Sequence, residues 1–492
     1  MNTILAIDQS TSATKALLFT LSGELIDKTS LEHQQYYPQP GWVEHDAEEI
    51  YRNTIAVINS LLVKYSERID DLLCLSITNQ RETIVIFDRA TGAPLHHAIV
   101  WQCRRGEPIC SALTEDGYSD QVQQITGLKI DTYFPASKIK WLLDEHPQLR
   151  RQLEAGTALL GTIDTYLIYR LTKGAVFASD HTNACRTLLY DINTLQWSED
   201  LCQLFGVPLH ALPEVRESSA HFGDTDCEGL LEAPLPICGV MGDSQAALFA
   251  GRCFDPGSAK VTFGTGSSVL LNIGHTPALS KNGIVTTIGW VYAERPTYAF
   301  EGIINFTGAT IAWMKNQMQY ITSPQETEAL AQTVEDNGGV YLVPAFVGLS
   351  APYWKPAARA AIIGLTPFST RGHIVRAAIE SIAYSIKDVL DLMKNEAGIT
   401  LHSVNGDGGM VSNHFLMQLV ADFTGLTLRA SDLPEMSALG AVLSGTLGMG
   451  VYSSPSALTE LPLAFSLYQP QMKPEQVAQL YAGWQDAVRR VF

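Results

Sequence analysis

Two short stretches far apart in the chain share one design, and that echo limits the fold more than any other feature. Asp8-Gln-Ser-Thr-Ser lies between the apolar runs Ile4–Ile7 and Ala16–Phe19. Phe263-Gly-Thr-Gly-Ser-Ser is followed by Val269-Leu-Leu. Each reads as a hairpin around a turn of small hydroxylic residues, the first turn running from Asp8 to Lys15. One such hairpin per half predicts two related domains facing a shared ligand. The length agrees: 492 residues exceed one core, and two domains of roughly 200–250 residues are the natural expectation. We expect the boundary near Gly251–Asp255, giving domains 1–252 and 253–492. No Pro/Ser-rich linker separates them, so they should be closely coupled.

Strands and helices alternate along the chain, which predicts an α/β class. Further strands are expected at Leu73–Ile77, Thr83–Phe87 and Ile237–Val240. Helical periodicity marks Glu48–Lys64, Ser137–Asp144 and Ile374–Met393. The stretch from Pro470 reads as a polar turn and one helix. A formal net charge of −18 argues against a nucleic-acid partner, which needs a basic face. It does not argue against a nucleotide enzyme, because a local pocket and Mg²⁺ can hold phosphates within an acidic protein. The eight cysteines are scattered, with no CxxC pair, as in a reduced, cytoplasmic protein. No signal peptide is evident, and no window approaches the roughly 18 apolar residues of a membrane span.

Several residue groups suit phosphoryl transfer, which needs phosphate cradles, Mg²⁺, an in-line hydroxyl and a carboxylate to take its proton. The turns Gln9–Lys15 and Gly264–Ser268 offer hydroxyls and backbone N–H groups to phosphate oxygens, and Lys15 adds a charge. Both could equally be ordinary hairpin turns, and neither is a GxxxxGK[ST] loop. Gly302 and Gly308 flank a short apolar stretch leading into a helix. Asp407-Gly408-Gly409 precedes another helix at Asn413–Thr424. Helix starts after glycines suit a nucleotide, or are simple caps. Asp243, in Gly242-Asp-Ser-Gln245, ends a strand and starts a helix. It suits a base or metal contact, although capping the helix is the commoner role there. Asn79-Gln-Arg-Glu-Thr83 puts polar groups between apolar strands, where they must pair among themselves or bind hydroxyls. Trp101 and Tyr133 are either core packing or an aromatic wall for a polyol.

Together these stretches resemble the FGGY carbohydrate-kinase family, and within it most closely the glycerol kinases. The resemblance runs nearly end to end. It includes Gly41-Trp-Val-Glu-His-Asp46, Thr78-Asn-Gln-Arg-Glu-Thr83, Ile99-Val-Trp-Gln-Cys-Arg-Arg105, Gly161-Thr-Ile-Asp-Thr165, Leu212-Pro-Glu-Val-Arg216, Val343-Pro-Ala-Phe346, Gly348-Leu-Ser-Ala-Pro-Tyr-Trp354 and Asp407-Gly-Gly409. The family's two signatures match Tyr133–Glu145 and Ala360–Glu380. The resemblance implies an actin-like ATPase fold, with two ribonuclease-H-like domains around a nucleotide cleft. It implies ATP and Mg²⁺, and Asp243 as general base, with Asp8 and Asp243 near the metal. Thr11, Ser12, Ala13, Lys15, Gly264 and Thr265 match phosphate-contacting positions. Gly308, Ala312, Gly409 and Asn413 match positions around the adenosine. Arg81, Glu82, Trp101, Tyr133, Asp243, Ser244, Gln245 and Ser268 fall at the polyol pocket. The family also implies a homo-oligomer, dimer or tetramer.

Two departures bear on the acceptor. Ser244 stands where glycerol kinases usually carry Gln, and Ser268 where they usually carry Phe. Losing a Phe wall removes apolar surface worth roughly 1–3 kcal/mol. We therefore weigh a three-carbon acceptor against a four- or five-carbon polyol or a ketose. Ala312 for Gln and Lys15 for Arg alter only nucleotide contacts. The stretch Glu228–Pro236 lacks the arginine of the family's fructose 1,6-bisphosphate loop, so no such inhibition is expected. A non-catalytic actin-like ATPase is the reading from a different class. It gives no reason for Arg81, Glu82 and Tyr133 beside Asp243.

Overall fold

The computed structural model describes residues 2–492. The first hairpin pairs β1 (Thr3–Gln9) with β2 (Ala13–Thr20), and β3 (Leu25–Glu32) extends it antiparallel. Every β1 residue is buried, as expected of a strand covered on both faces. Helix α1 (Ala47–Lys64) carries the chain across to β4 (Leu72–Asn79), which lies parallel to β1. Asp46 caps α1 by accepting from the Glu48 amide, Glu48 and Glu49 fill its first turn, and Lys64 sits in its last. With β5 (His221–Thr225) and β6 (Leu235–Gly242) the sheet reads β5-β6-β4-β1-β2-β3.

The second half repeats this plan. Here β7 (Ser258–Phe263) and β8 (Ser267–Gly274) form the hairpin, β9 (Val285–Tyr292) and β10 (Arg295–Ile304) extend it, and β11 (Ser403–Asp407) runs parallel to β7. With β12 (Leu428–Ser431) and β13 (Phe465–Tyr468) the order is β9-β10-β8-β7-β11-β12-β13. Within it, β10-β8-β7-β11-β12 matches β3-β2-β1-β4-β6: three antiparallel strands, then two parallel ones. The two hydroxylic turns occupy equivalent corners of equivalent sheets. Between Gln80 and Trp101 the chain enters a smaller five-stranded sheet that includes Ile84–Asp88 and Ala158–Thr162.

Helix α2 (Asp243–Ala250) follows β6, and α3 (Gly308–Asn316) follows β10. The 27-residue α4 (Arg371–Ala397) backs the second sheet, followed by α5 (His414–Thr424). Helix α6 (Met436–Gly448) then crosses back and packs on α2, β6, β4 and β1. Met436, Leu439, Val442 and Leu443 join Ile4, Ala6, Cys74 and Met241 in one core. The halves expected at 1–252 and 253–492 therefore share a core, since residues beyond 430 cover one face of the first sheet. Gly239 and Gly440 mark that close approach: a Cβ on either would lie about 2 Å from a carbonyl oxygen of the opposing segment. A further difference from expectation is the first turn. Asp8 and Lys15 lie opposite each other within the ladder, and only Ser10–Ser12 turns. Among the described residues, no helix is long and apolar enough to cross a membrane.

Candidate active site

The chain leaves β4 through Gln80–Thr83, where Glu82 adopts a φ of +60°. This left-handed conformation costs a non-glycine residue of order 1–2 kcal/mol. The turn directs Arg81 and Glu82 inward, where both are buried. Arg81 Nη2 donates to Glu301 Oε1 at 2.8 Å, and its Nη1 donates to Gln245 Oε1 at 3.0 Å. Arg186 closes the set. Its Nε donates to Glu82 Oε1 at 2.6 Å, and its Nη2 lies 2.6 Å from Glu301 Oε2. Two arginines and two glutamates thus alternate around a buried square. Burial pushes the Glu301 carboxyl up, but Arg186 and Arg81 outweigh it and hold it at about 2. Charges so deeply buried persist only when paired with opposite charges.

A cavity of about 350 Å³ rests on the square. Thr11, Arg81, Glu82, Trp101, Tyr133, Asp243, Ser244 and Ser268 all line it, from elements in both halves. Trp101 and Tyr133 meet edge to face, with ring centroids 5.5 Å apart, and make an aromatic wall. Trp101 Nε1 donates to Thr11 Oγ1 at 3.0 Å, tying that wall to the first turn. Lys138 is fully buried beneath it and donates to the carbonyls of Val100, Trp101 and Tyr133. Burial lowers its ammonium to about 8. Gln245 does not line the cavity. It stands behind Arg81 and donates to Thr287 Oγ1 at 3.1 Å, so it orients the arginine. Ser268 Oγ already donates to Glu301 Oε1 at 3.3 Å, whereas the Ser244 hydroxyl, on the cavity, has no hydrogen-bond partner among the described residues.

Asp243 begins α2, but the cap position belongs to Gly242. The Asp243 Oδ1 atom accepts from the Ser244 amide at 2.7 Å and lies 3.2 Å from Arg81 Nε. Its side chain stays 41% exposed, on the cavity. Asp8, on β1, is buried. Burial raises its carboxyl despite Lys15 at 3.1 Å, and the nearby Asp243 charge adds to the rise. Lys15 also reaches Glu435 at 2.8 Å, so this cation is held between two carboxylates. Asp243 lines the cavity while Asp8 lies behind it, paired with Lys15; carboxylates of this kind suit Mg²⁺, which typically takes one or two carboxylates plus substrate phosphates.

The second turn is built by close backbone contact. Gly308 N donates to Gly264 O at 3.0 Å, and Ala309 N to Thr265 O at 2.9 Å. A Cβ on Gly308 would lie 2.6 Å from Gly264 O, and one on Gly408 2.6 Å from Phe263 O. Glycine is required at both. Segments 263–266, 307–309 and 408–410 therefore converge, while Gly409 faces open space and Thr265 and Ala312 are exposed. This junction, open at Gly409 and Thr265, leaves room for a nucleotide's phosphates. Asn413 stands at the cap position of α5. Its Oδ1 caps α5 by accepting from the Leu416 amide, and its Nδ2 donates to Thr327 Oγ1. Its side chain is engaged in the cap. Ser12 is exposed at the first turn and Ala13 is buried beneath it.

The sequence profile of the FGGY family of carbohydrate kinases, N-terminal domain, matches residues 3–250, and that of the C-terminal domain matches residues 259–449. The chain belongs to the FGGY family of carbohydrate kinases. This FGGY kinase is 45% identical to a glycerol kinase of Halorhodospira halophila over 487 residues, covering 99% of this chain and 96% of that protein. It is 43% identical to glycerol kinase 1 of Thermotoga maritima, covering 99% of each. Among solved structures it resembles Plasmodium falciparum glycerol kinase with ADP, with a TM-score of 0.95, 36% identity, and 100% and 98% of the two chains covered. Xylulose kinase from Lactobacillus acidophilus, with 20% identity, 99% of each chain covered and a TM-score of 0.88, shares the fold.

Sequence reasoning missed Arg186, Glu301, Lys260 and Glu435. Glu301 carried a usable signal: a lone charge inside the apolar strand Thr297–Ile304 must have a buried partner. Lys260 sits likewise inside β7 and is 2% exposed. Arg186 and Glu435 lie in no motif.

Proposed function

We propose that this ATP-dependent phosphotransferase acts on a hydroxyl of a small polyol, with glycerol as the first acceptor. The observation that carries the reading is the open carboxylate of Asp243 beside a cavity with an arginine–glutamate floor and an aromatic wall. Carbon edges of the acceptor rest on Trp101 and Tyr133, and its hydroxyls pair with Arg81 and Glu82. Arg81 Nε, at 3.2 Å, orients the Asp243 carboxylate. As the acceptor oxygen bonds to the γ-phosphorus, its proton passes to Asp243, and the bond from that phosphorus to the β–γ bridging oxygen breaks, leaving ADP. The turns at Thr11–Ala13 and Gly264–Thr265 hold phosphate oxygens, with Lys15 adding positive charge. The adenosine lies along Gly308, Ala312 and Gly409, at the end of α5 that Asn413 caps. Asp8 and Asp243 would hold Mg²⁺, which neutralises charge on the β- and γ-phosphates when bound. Closure of the halves excludes water from the cavity.

The glycerol kinases similar to this chain support glycerol. A second reading, a four- or five-carbon polyol or a ketose, is favoured by the free Ser244 hydroxyl and by the small Ser268. The same reading includes a homo-dimer or tetramer and a cytoplasmic location. The latter suits eight cysteines that are all buried, free thiols. Asp243→Ala is the test of the base. It is expected to abolish transfer to glycerol while ATP binding, followed by calorimetry, stays measurable. Near-full turnover in that variant would reject the role of Asp243.

A further inference from the structure

A second cavity, of about 550 Å³, lies at the other end of the same strands. The active-site cavity includes Lys260 and Thr262, toward the end of β7, whereas this one includes Ser258, where β7 begins. His402 and Ser403, at the start of β11, line it as well. Ser258 and Thr262 are four steps apart along β7, about 13 Å, and the two linings share no residue. The second cavity is therefore distinct from the catalytic one.

Its chemistry is cationic within an acidic protein. Arg252 and Arg429 both line it, with His402 beside them and Asp255 as the carboxylate in the wall. Among the described residues, neither arginine has a carboxylate within 4.0 Å. Arg252 donates to the carbonyls of Thr459 and Pro462, at 3.0 and 3.5 Å, and its buried Nε has no partner. Arg429 is exposed, and its guanidinium carbon lies 5.9 Å from the Phe465 ring centroid. Burial lowers the Arg252 pKa, and the nearby Arg429 charge lowers it further, with Glu460 opposing. Two neighbouring guanidinium groups with no carboxylate in contact are unfavourable alone. A ligand with several oxyanion atoms would relieve them through paired N–H donation. Leu461, Leu463 and Phe465 supply an apolar side wall for the ligand's carbon body.

We propose that this cavity is a second, non-catalytic binding site for a small phosphorylated molecule, held by Arg429 and Arg252. The site spans the 251–258 connection between the two sheets and residues 459–467, downstream of α6. It thus touches two of the places where the chain passes between the halves.

The test is calorimetric titration of the full chain, its active site saturated with glycerol and a non-hydrolysable ATP analogue. The probes are inorganic phosphate, 3-phosphoglycerate and, as a phosphate-free dianion, malonate. Saturable binding of a phosphate probe is expected. Arg429→Glu should weaken it at least tenfold, about 1.4 kcal/mol, and Arg429→Lys should weaken it less. Because Arg429 is exposed and remote from the catalytic cavity, kcat/KM without the probe should be unchanged in both variants. Three results would each overturn the proposal: no phosphate probe binding up to about 10 mM, equal binding by Arg429→Glu and wild type, or tighter binding of malonate than of inorganic phosphate.

Discussion

Glu301 shows how one buried carboxylate sets the position of the residues that meet the acceptor. It holds Arg81 on one oxygen and Arg186 on the other, and through Arg81 it fixes the approach to Asp243. Glu301→Gln leaves two buried cations against Glu82 and the partly exposed Asp243. Breaking a buried pair in this way costs about 3–5 kcal/mol, so the variant should unfold at clearly lower urea, and its kcat/KM for glycerol should fall. The pH dependence follows from the sign of the shift. The folded carboxyl sits at about 2, below its ordinary 4.5, so its contribution is complete above pH 4.5. The contribution is lost as pH falls from there toward 2. The stability gap between wild type and Glu301→Gln should therefore be full at pH 7 and narrow below pH 4.5. A gap that widens on acidification would reject this assignment.

Among the elements, the two hairpins carry the phosphate turns, and glycine sets how closely their neighbours approach. Gly308 opens α3 against the carbonyl of Gly264, with no space for a side chain. Gly308→Ala must push the second turn away from the start of α3, an overpacking that costs about 1–3 kcal/mol. The expected result is a raised KM for ATP with little change in the KM for glycerol. An unchanged KM for ATP would show that the turn does not position the nucleotide. These hairpins were readable in the sequence because each is a local pattern: apolar run, small polar turn, apolar run. The arginine–glutamate square was half readable. Arg81 and Glu82 stand in a conspicuous polar run, but Arg186 and Glu301 join them across more than 100 residues of chain. Pairing at that distance leaves no local pattern. Helix α6 escaped for a related reason. Its apolar surface declares that it is buried, but not that it is buried on the first sheet.

For the whole molecule, two sheets of matching plan place their hairpin turns on one cleft, and α6 locks the first sheet to the second half of the chain. That arrangement brings Thr11 and Asp243 from one half to the cavity that Gly266 and Ser268 line from the other. In the proposed reading, ATP bound between the halves and an acceptor on the Arg81–Glu82 floor meet at Asp243. The direct measurement is ADP release, coupled to a spectrophotometric readout, against glycerol, erythritol, threitol, the pentitols, dihydroxyacetone and common ketoses. The account predicts ADP release that requires a polyol, with the highest kcat/KM for glycerol. A longer acceptor ahead by tenfold, about 1.4 kcal/mol of transition-state preference, would move the substrate to the second reading. ATP turnover indifferent to every acceptor would contradict the account itself.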